Sequence, residues 1–279
     1  MDASGDTSDK RSPLVKVIDR IFSIWFLIYF ILSSMFFNSL TAITTLMTAP
    51  FDPRRRIVHQ LSCIWGTHYL YVNPFWHYKI EGREYIDPDK TYVIVANHSS
   101  YFDILVLYSS FRNFKFVSKE TIFKIPLIGW NMYLNEYVKI KRGNLSSIKE
   151  MMAVCRGWLK KGASVMMFPE GTRTETGELL PFRAGGFSLA LELGLPIVPV
   201  AIYGTYEVFP KGRNELRTFQ PMHAKILPPL MPEDYPGKPG KMKEDAQKLI
   251  ENSLAQMRAQ YSIGTTAGAK EGLVGTKKE

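Results

Sequence analysis

Tyr92-Val93-Ile94-Val95-Ala96-Asn97-His98-Ser99-Ser100-Tyr101-Phe102-Asp103 is the stretch on which the sequence turns. Residues 92–96 are an apolar run with a high share of β-branched side chains. They read as a strand buried on both faces, the mark of a sheet covered by helices on either side. Polar residues take over at Asn97, and open α/β sheets place their sites just there, beyond the carboxyl ends of strands. His98 and Asp103 are five residues apart, about 140° on one helix. They meet only if His98 lies in the turn and Asp103 in the first helical turn. Ser100-x-x-Asp103 resembles a capping box that would open such a helix. An acid so placed orients one imidazole nitrogen and leaves the other free as a base. The plainer alternative is a capping acid beside a satisfied loop histidine.

Working outward, short apolar runs at 77–80, 114–117, 137–140, 164–168, 197–203 and 224–227 read as further strands. Helical spacing appears over 101–108, 146–160, 185–193 and 241–261. Such alternation predicts an α/β fold with a largely parallel or mixed sheet flanked by helices. A second polar segment follows the strand at 164–168: Phe168-Pro169-Glu170-Gly171-Thr172-Arg173. It sets a carboxylate and a guanidinium around a glycine turn. Arg173 suits bidentate capture of a phosphate, though a salt-bridged loop would show the same residues.

The N-terminal part differs in kind. Residues 21–48 carry no charge and many aromatics, a stretch longer than the ~20 residues that span a bilayer. Lys10, Arg11, Lys16 and Arg20 precede it and Arg54, Arg55 and Arg56 follow it. Positive charge on both flanks fits a segment that enters one leaflet and keeps both ends on the cytoplasmic side. A buried core helix is the alternative. Asp52 as N-cap and Pro53 as first helical residue predict a second, amphipathic helix ending at Asn73-Pro74, with the arginines toward lipid phosphates. The predicted organisation is a flexible 1–13, a membrane-associated helical hairpin over 14–73, an α/β domain over 74–262 and a flexible tail over 263–279.

Hydrophobic residues at 46% and charged residues at 22% exclude a wholly disordered chain. The net charge of +9 favours anionic partners, whether nucleic acid, phospholipid or a phosphorylated substrate. The basic residues lack the aromatic interleaving of a nucleic-acid groove, so no nucleic-acid partner is expected. Cys63, Cys155 and the scattered His59, His68, His77 and His223 match no metal-ligand spacing, so no metal is expected.

Four blocks in order resemble the glycerolipid acyltransferase family across roughly residues 78–229. They are Asn97–Asp103, then Ser118-Lys119-Glu120 through Pro126-Leu127-Ile128-Gly129-Trp130 to Arg142, then Phe168–Arg173, then Leu195-Pro196-Ile197-Val198-Pro199-Val200. Two positions depart from it: Glu136, where many members have glycine, and Lys141, where an acid is common. The resemblance implies a glycerophosphate acyltransferase-like fold and transfer of a fatty acyl group from acyl-CoA or acyl carrier protein. The implied acceptor is the free hydroxyl of 1-acylglycerol-3-phosphate (lysophosphatidic acid), and the product phosphatidic acid. Both donors are substrates, so no cofactor is implied. His98 and Asp103 become the catalytic pair, with Lys119, Arg142 and Arg173 as phosphate grips. Glu170 orders the acceptor glycerol or Arg173, within a substrate-binding turn completed by Gly171 and Thr172. Asn97, Ser100 and Pro196 support the site, Pro196 beside the acyl pocket. Amides near Ser100 are expected to stabilise the developing oxyanion. The implied location is the cytoplasmic face of a phospholipid membrane, the inner membrane in a bacterium. Two alternatives stand beside this: the same chemistry on another lysophospholipid or an acylated amino-acid lipid, and a catalytically silent lipid-binding scaffold.

Overall fold

A computed structural model describes residues 11–271, with side chains described as far as Tyr261. Seven strands form one sheet: β1 (Lys79–Glu81), β2 (Val93–Ala96), β3 (Phe114–Lys119), β4 (Val138–Ile140), β5 (Ser164–Met167), β6 (Ile197–Tyr203) and β7 (His223–Ile226). Their order is β1-β7-β6-β2-β5-β3-β4. Strands β2 to β6 run parallel, while β7 is antiparallel to β6 and parallel to β1, so the sheet is mixed. All seven runs singled out in the sequence are strands, displaced by at most two residues.

The helices are α1 (Pro13–Thr48), α2 (Arg56–His68), α3 (Phe102–Tyr108), α4 (Ile128–Leu134), α5 (Leu145–Lys160), α6 (Gly185–Glu192), α7 (Thr205–Val208) and α8 (Pro239–Glu271). The strand period of two divides the core between the sheet's faces. Ile94 and Ala96 of β2 pack with Trp65 of α2 and Val106 of α3. Val93 and Val95 pack on the other face with Trp158 of α5, Phe187 of α6 and Ile250 of α8.

Helix α1 has 36 residues, about 54 Å at 1.5 Å per residue. It is long and apolar enough to cross a membrane, and only 11% of its most apolar window is buried. That excludes the core-helix alternative. Its outer face shows Ile24, Ile28, Leu32, Met35, Leu46 and Met47 to the surroundings. Its hydroxyls are satisfied locally: Thr41, Thr45 and Thr48 donate to carbonyls one turn back at 2.7–2.8 Å, and the Ser33 hydroxyl lies 2.7 Å from the Tyr69 hydroxyl of the following turn.

Three expectations about the ends need correction. Helix α2 begins at Arg56, not Pro53, because the Asp52 carboxylate accepts from the amides of Arg56 and Ile57, both at 2.8 Å. Nor is residue 73 a boundary between a hairpin and a domain. Val58 of α2 is buried, and Cys63 and Trp65 are buried in the core layer over the sheet. The arginines turn largely inward: Arg54 donates to the Gly162 carbonyl at 3.2 Å and Arg55 pairs with Glu136 at 2.9 Å. At the C-terminus α8 continues to Glu271 rather than stopping before a tail at 263, since extending an existing helix gains one hydrogen bond for each residue fixed. Of the expected flexible segments 1–13 and 263–279, residues 1–10 and 272–279 lie outside the described residues, while Ser12 already caps α1 at Pro13.

Candidate active site

The carboxyl end of β2 carries the site. Asn97 ties that end to β6: its Nδ2 donates to the Ile202 carbonyl and its Oδ1 accepts from the Ile202 amide, both at 2.8 Å. The chain then turns, and α3 starts at Phe102. His98 is therefore in the turn and Asp103 in the first helical turn, as their spacing requires. The His98 Nδ1–Asp103 Oδ2 distance is 2.8 Å.

Asp103 has no exposed surface. Its Oδ2 also accepts from the amides of Ser99 at 2.7 Å and Ser100 at 2.9 Å, and its Oδ1 from the Thr205 hydroxyl at 2.5 Å. The amides and that hydroxyl donate to Asp103, and the imidazole does the same, so Nδ1 carries the proton and Nε2 keeps its lone pair. Asp103 thus supplies the returning arm of a capping box. The Ser100 hydroxyl does not complete it, and instead donates to the Phe209 carbonyl at 2.8 Å. The expected oxyanion donors are also accounted for differently: the amides of Ser99 and Ser100 are committed to Asp103.

Beyond β5 the second segment folds against the first. The His98 ring stacks on Phe168, with centroids 3.8 Å apart. Glu170, also buried, clasps two chain segments: Oε1 accepts from the His98 amide at 2.6 Å and Oε2 from the Leu180 amide at 2.9 Å. The Thr174 amide donates to the His98 carbonyl at 3.0 Å. Glu170 therefore fixes the loop that bears His98; of its two expected roles, ordering the acceptor glycerol or Arg173, the second is not seen, since its oxygens meet these amides. Burial pushes its carboxyl up to about 7 against the opposing effect of those two amides.

His98, Lys119, Arg142, Thr172 and Arg173 line one cavity of about 350 Å³, together with the apolar Tyr108, Phe116 and Met132. Gly171 forms the turn beside it at φ +74°. Arg173 lies over the Tyr101 ring, 3.8 Å from its centroid. Burial, and then the Arg173 and Arg142 charges, hold His98 below its ordinary pKa against the raising effect of Asp103. An apolar cavity of about 550 Å³ runs from Tyr101, Ile104 and Ile122 to Phe26 and Leu27 of α1. Tyr101, Ile104 and Ile122 border both cavities.

Pro196 does not join the site. It precedes β6, and its carbonyl accepts from Val93 at 3.1 Å at the amino end of β2, roughly 15 Å from His98 at about 3.3 Å per strand residue. Glu136 explains its departure from the family pattern. Its φ of 54° is the left-handed conformation glycine favours, and its carboxylate meets Arg55. Sequence reading missed Thr205. The rule that located His98, applied to the carboxyl end of β6, points to it.

Residues 77–203 match the family model described as Acyltransferase. A chloroplastic 1-acyl-sn-glycerol-3-phosphate acyltransferase of Arabidopsis thaliana is 38% identical over 216 residues, 76% of this chain and 60% of that protein. A 1-acyl-sn-glycerol-3-phosphate acyltransferase of Pseudomonas aeruginosa is 33% identical over 164 residues, 58% of this chain and 63% of that one. The chain thus spans less than two thirds of these relatives' length. The crystal structure of a 1-acyl-sn-glycerophosphate acyltransferase from Thermotoga maritima shares the fold, with TM-score 0.77, 24% identity and coverage of 88% and 98% of the two chains.

Proposed function

We propose, from the match of residues 77–203 to the family model described as Acyltransferase, that this chain is an acyltransferase that acylates the free hydroxyl of 1-acylglycerol-3-phosphate, giving phosphatidic acid. The donor is acyl-CoA or acyl carrier protein. The observation that carries this reading is the His98–Asp103 pair at 2.8 Å, set beside a mouth of cations within one cavity. An alcohol is a weak nucleophile at neutral pH. His98 Nε2 takes the hydroxyl proton as the oxygen attacks the thioester carbon. The C–S bond then breaks, and the imidazolium returns the proton to the leaving thiolate. Asp103 holds the tautomer and stabilises the transient cation. The depressed pKa of His98 keeps the ring neutral, ready to accept a proton, at physiological pH. Lys119, Arg142 and Arg173 bind the phosphate, and the apolar cavity beside α1 offers room for an acyl chain.

We further propose that α1 lies within one leaflet with both ends on the cytoplasmic face. The support is that both ends are tied to the same domain. Near its start Asp19 accepts from the Thr218 amide at 2.8 Å, and just past its end Arg54 reaches the Gly162 carbonyl. A helix crossing the bilayer would carry one of those ends away. Cysteine labelling ahead of residue 11 and after residue 271, with Cys63 and Cys155 replaced, tests this. Outside labelling of the first position alone would overturn it.

The reaction is tested with purified protein, labelled acyl-CoA and acyl carrier protein, and a set of lysolipids scored by product. Lysophosphatidic acid is expected to be the best acceptor. A zwitterionic lysolipid or acylated amino-acid lipid acylated faster would replace that assignment, and no turnover with any acceptor would favour the scaffold.

A further inference from the structure

The cations around the mouth differ in compensation. Lys211 lines the cavity but pairs with Glu175 at 2.7 Å. Arg142 and Arg173 line it without a carboxylate partner among the described residues. A third guanidinium, Arg183, exposed and outside the cavity lining, lies against Gly171 next to Thr172 and Arg173, and it too has no carboxylate partner among the described residues. Its position is built. The Leu180 amide is held by Glu170, the Phe182 amide by Gln247 Oε1 at 3.0 Å, and the Arg183 amide by the Pro169 carbonyl at 3.0 Å. These bonds lay the side chain against Gly171. A Cβ added there would come within 2.8 Å of Arg183 Cζ and 2.9 Å of its Nε. Glycine thus leaves a notch that the guanidinium fills. Its charge is felt at Arg142: desolvation first, then the Arg183 and Arg173 charges, hold Arg142 below the ordinary arginine pKa. With Lys119, these like charges have no carboxylate partner among the described residues; together they raise the free energy of the empty mouth, and a bound dianion lowers it.

We propose that Arg183 is a specificity-determining residue, completing with Arg142 and Arg173 a clamp for the phosphomonoester of the acceptor. This rests on the acceptor assigned above. A phosphomonoester brings close to two negative charges at neutral pH. A phosphodiester brings one, and a zwitterionic head adds a cation that three guanidiniums repel. The clamp therefore selects on charge and not only on shape.

The test is steady-state kinetics of full-length wild type, Arg183→Gln and Arg183→Lys, varying lysophosphatidic acid, lysophosphatidylethanolamine and acyl-CoA in turn. Arg183→Gln is expected to raise KM for lysophosphatidic acid about tenfold, as loss of one charge-assisted contact does. Its kcat and its KM for acyl-CoA should stay near wild type. The preference over lysophosphatidylethanolamine should fall by a similar factor, and Arg183→Lys should recover part of it. Inorganic phosphate should compete with the acceptor in wild type and compete less well in Arg183→Gln. An unchanged KM overturns the proposal. So does a rise in KM for acyl-CoA alone, which would put the contact on the donor's phosphates, or an equal fall in kcat for every acceptor, which would make Arg183 merely structural. Should Arg183→Gln not fold, Arg183→Lys with a wild-type KM and a wild-type response to phosphate also overturns it. Absence of lysophosphatidic acid turnover in wild type is a separate result, and it removes the reaction itself.

Discussion

The floor and the mouth of the cavity are built on opposite rules. Beneath the lining, as the support of that floor, Asp103 and Glu170 are buried acids with donors on both oxygens, accepting six hydrogen bonds of 2.5 to 2.9 Å in all. At the mouth, Arg142, Arg173 and Arg183 carry charge with no acidic partner among the described residues. A satisfied network is rigid and keeps one geometry, whereas an unsatisfied cluster waits for a ligand. The floor sets what reaction is possible and the mouth sets which molecule undergoes it. Variants on the floor should therefore lower kcat, and variants at the mouth should raise KM.

The largest effect is expected at the base. His98→Ala should cut kcat by about 10²–10⁴-fold, and Asp103→Asn should come close to it by misdirecting the tautomer. Single-turnover rates with saturating acceptor check this, and wild-type rates in His98→Ala would sink the proposed chemistry. Glu170→Gln comes next. Its amide can accept one backbone N–H but sets a donor against the other, and an unpaired buried donor costs about 1–3 kcal/mol. The expected fall in kcat is about tenfold to a hundredfold, with KM for lysophosphatidic acid little changed. A change in KM alone would move Glu170 from the floor to the mouth.

A smaller effect links the two regions. The Arg173 charge helps hold His98 below its ordinary pKa of 6.5, so the neutral, active ring persists as pH falls below 6.5 and is lost through the depressed value. In Arg173→Gln that value should rise, and the acid limb of kcat/KM should shift to higher pH. A shift the other way would show that Arg173 does not act on the base. Pro196→Ala should do least. The residue sits at the amino ends of the strands, so acyl-chain preference should match wild type, and a changed chain-length profile would contradict its placement.

Most of the sheet was legible because buried strands announce themselves by unbroken apolar runs. The pairing of His98 with Asp103 was legible because five residues fit one geometry only. Helix α4 was hidden, since Leu127 at φ 68° breaks the helical pattern just before it. Gly129 permits the approach that follows: a Cβ there would lie 2.1 Å from the Phe123 carbonyl. Neither contact leaves a periodic trace. Glu170 was misread for a related reason. Its partners are the amides of His98 and Leu180, and backbone donors have no signature in the side-chain sequence. The side-chain sequence around the carboxylate points only to the acceptor glycerol or to Arg173. The inward turn of Arg54 and Arg55 was concealed likewise, because Gly162 and Glu136 lie far along the chain.

The clasp between α1 and the loop before β7 also has a history in time. Asp19 and the amide it holds at Thr218 are 199 residues apart. At about 5–20 residues synthesised per second, roughly 10–40 s pass between their appearances at the ribosome. Through that interval α1 is made while the loop that fastens it is not, and its outward apolar side chains, Leu32, Leu46 and Met47 among them, have no partner among the described residues of the finished fold to meet. A nascent chain of this design needs a lipid surface or a holding chaperone early. Its yield in a cell-free synthesis should depend on whether one is supplied before, rather than after, the chain is released.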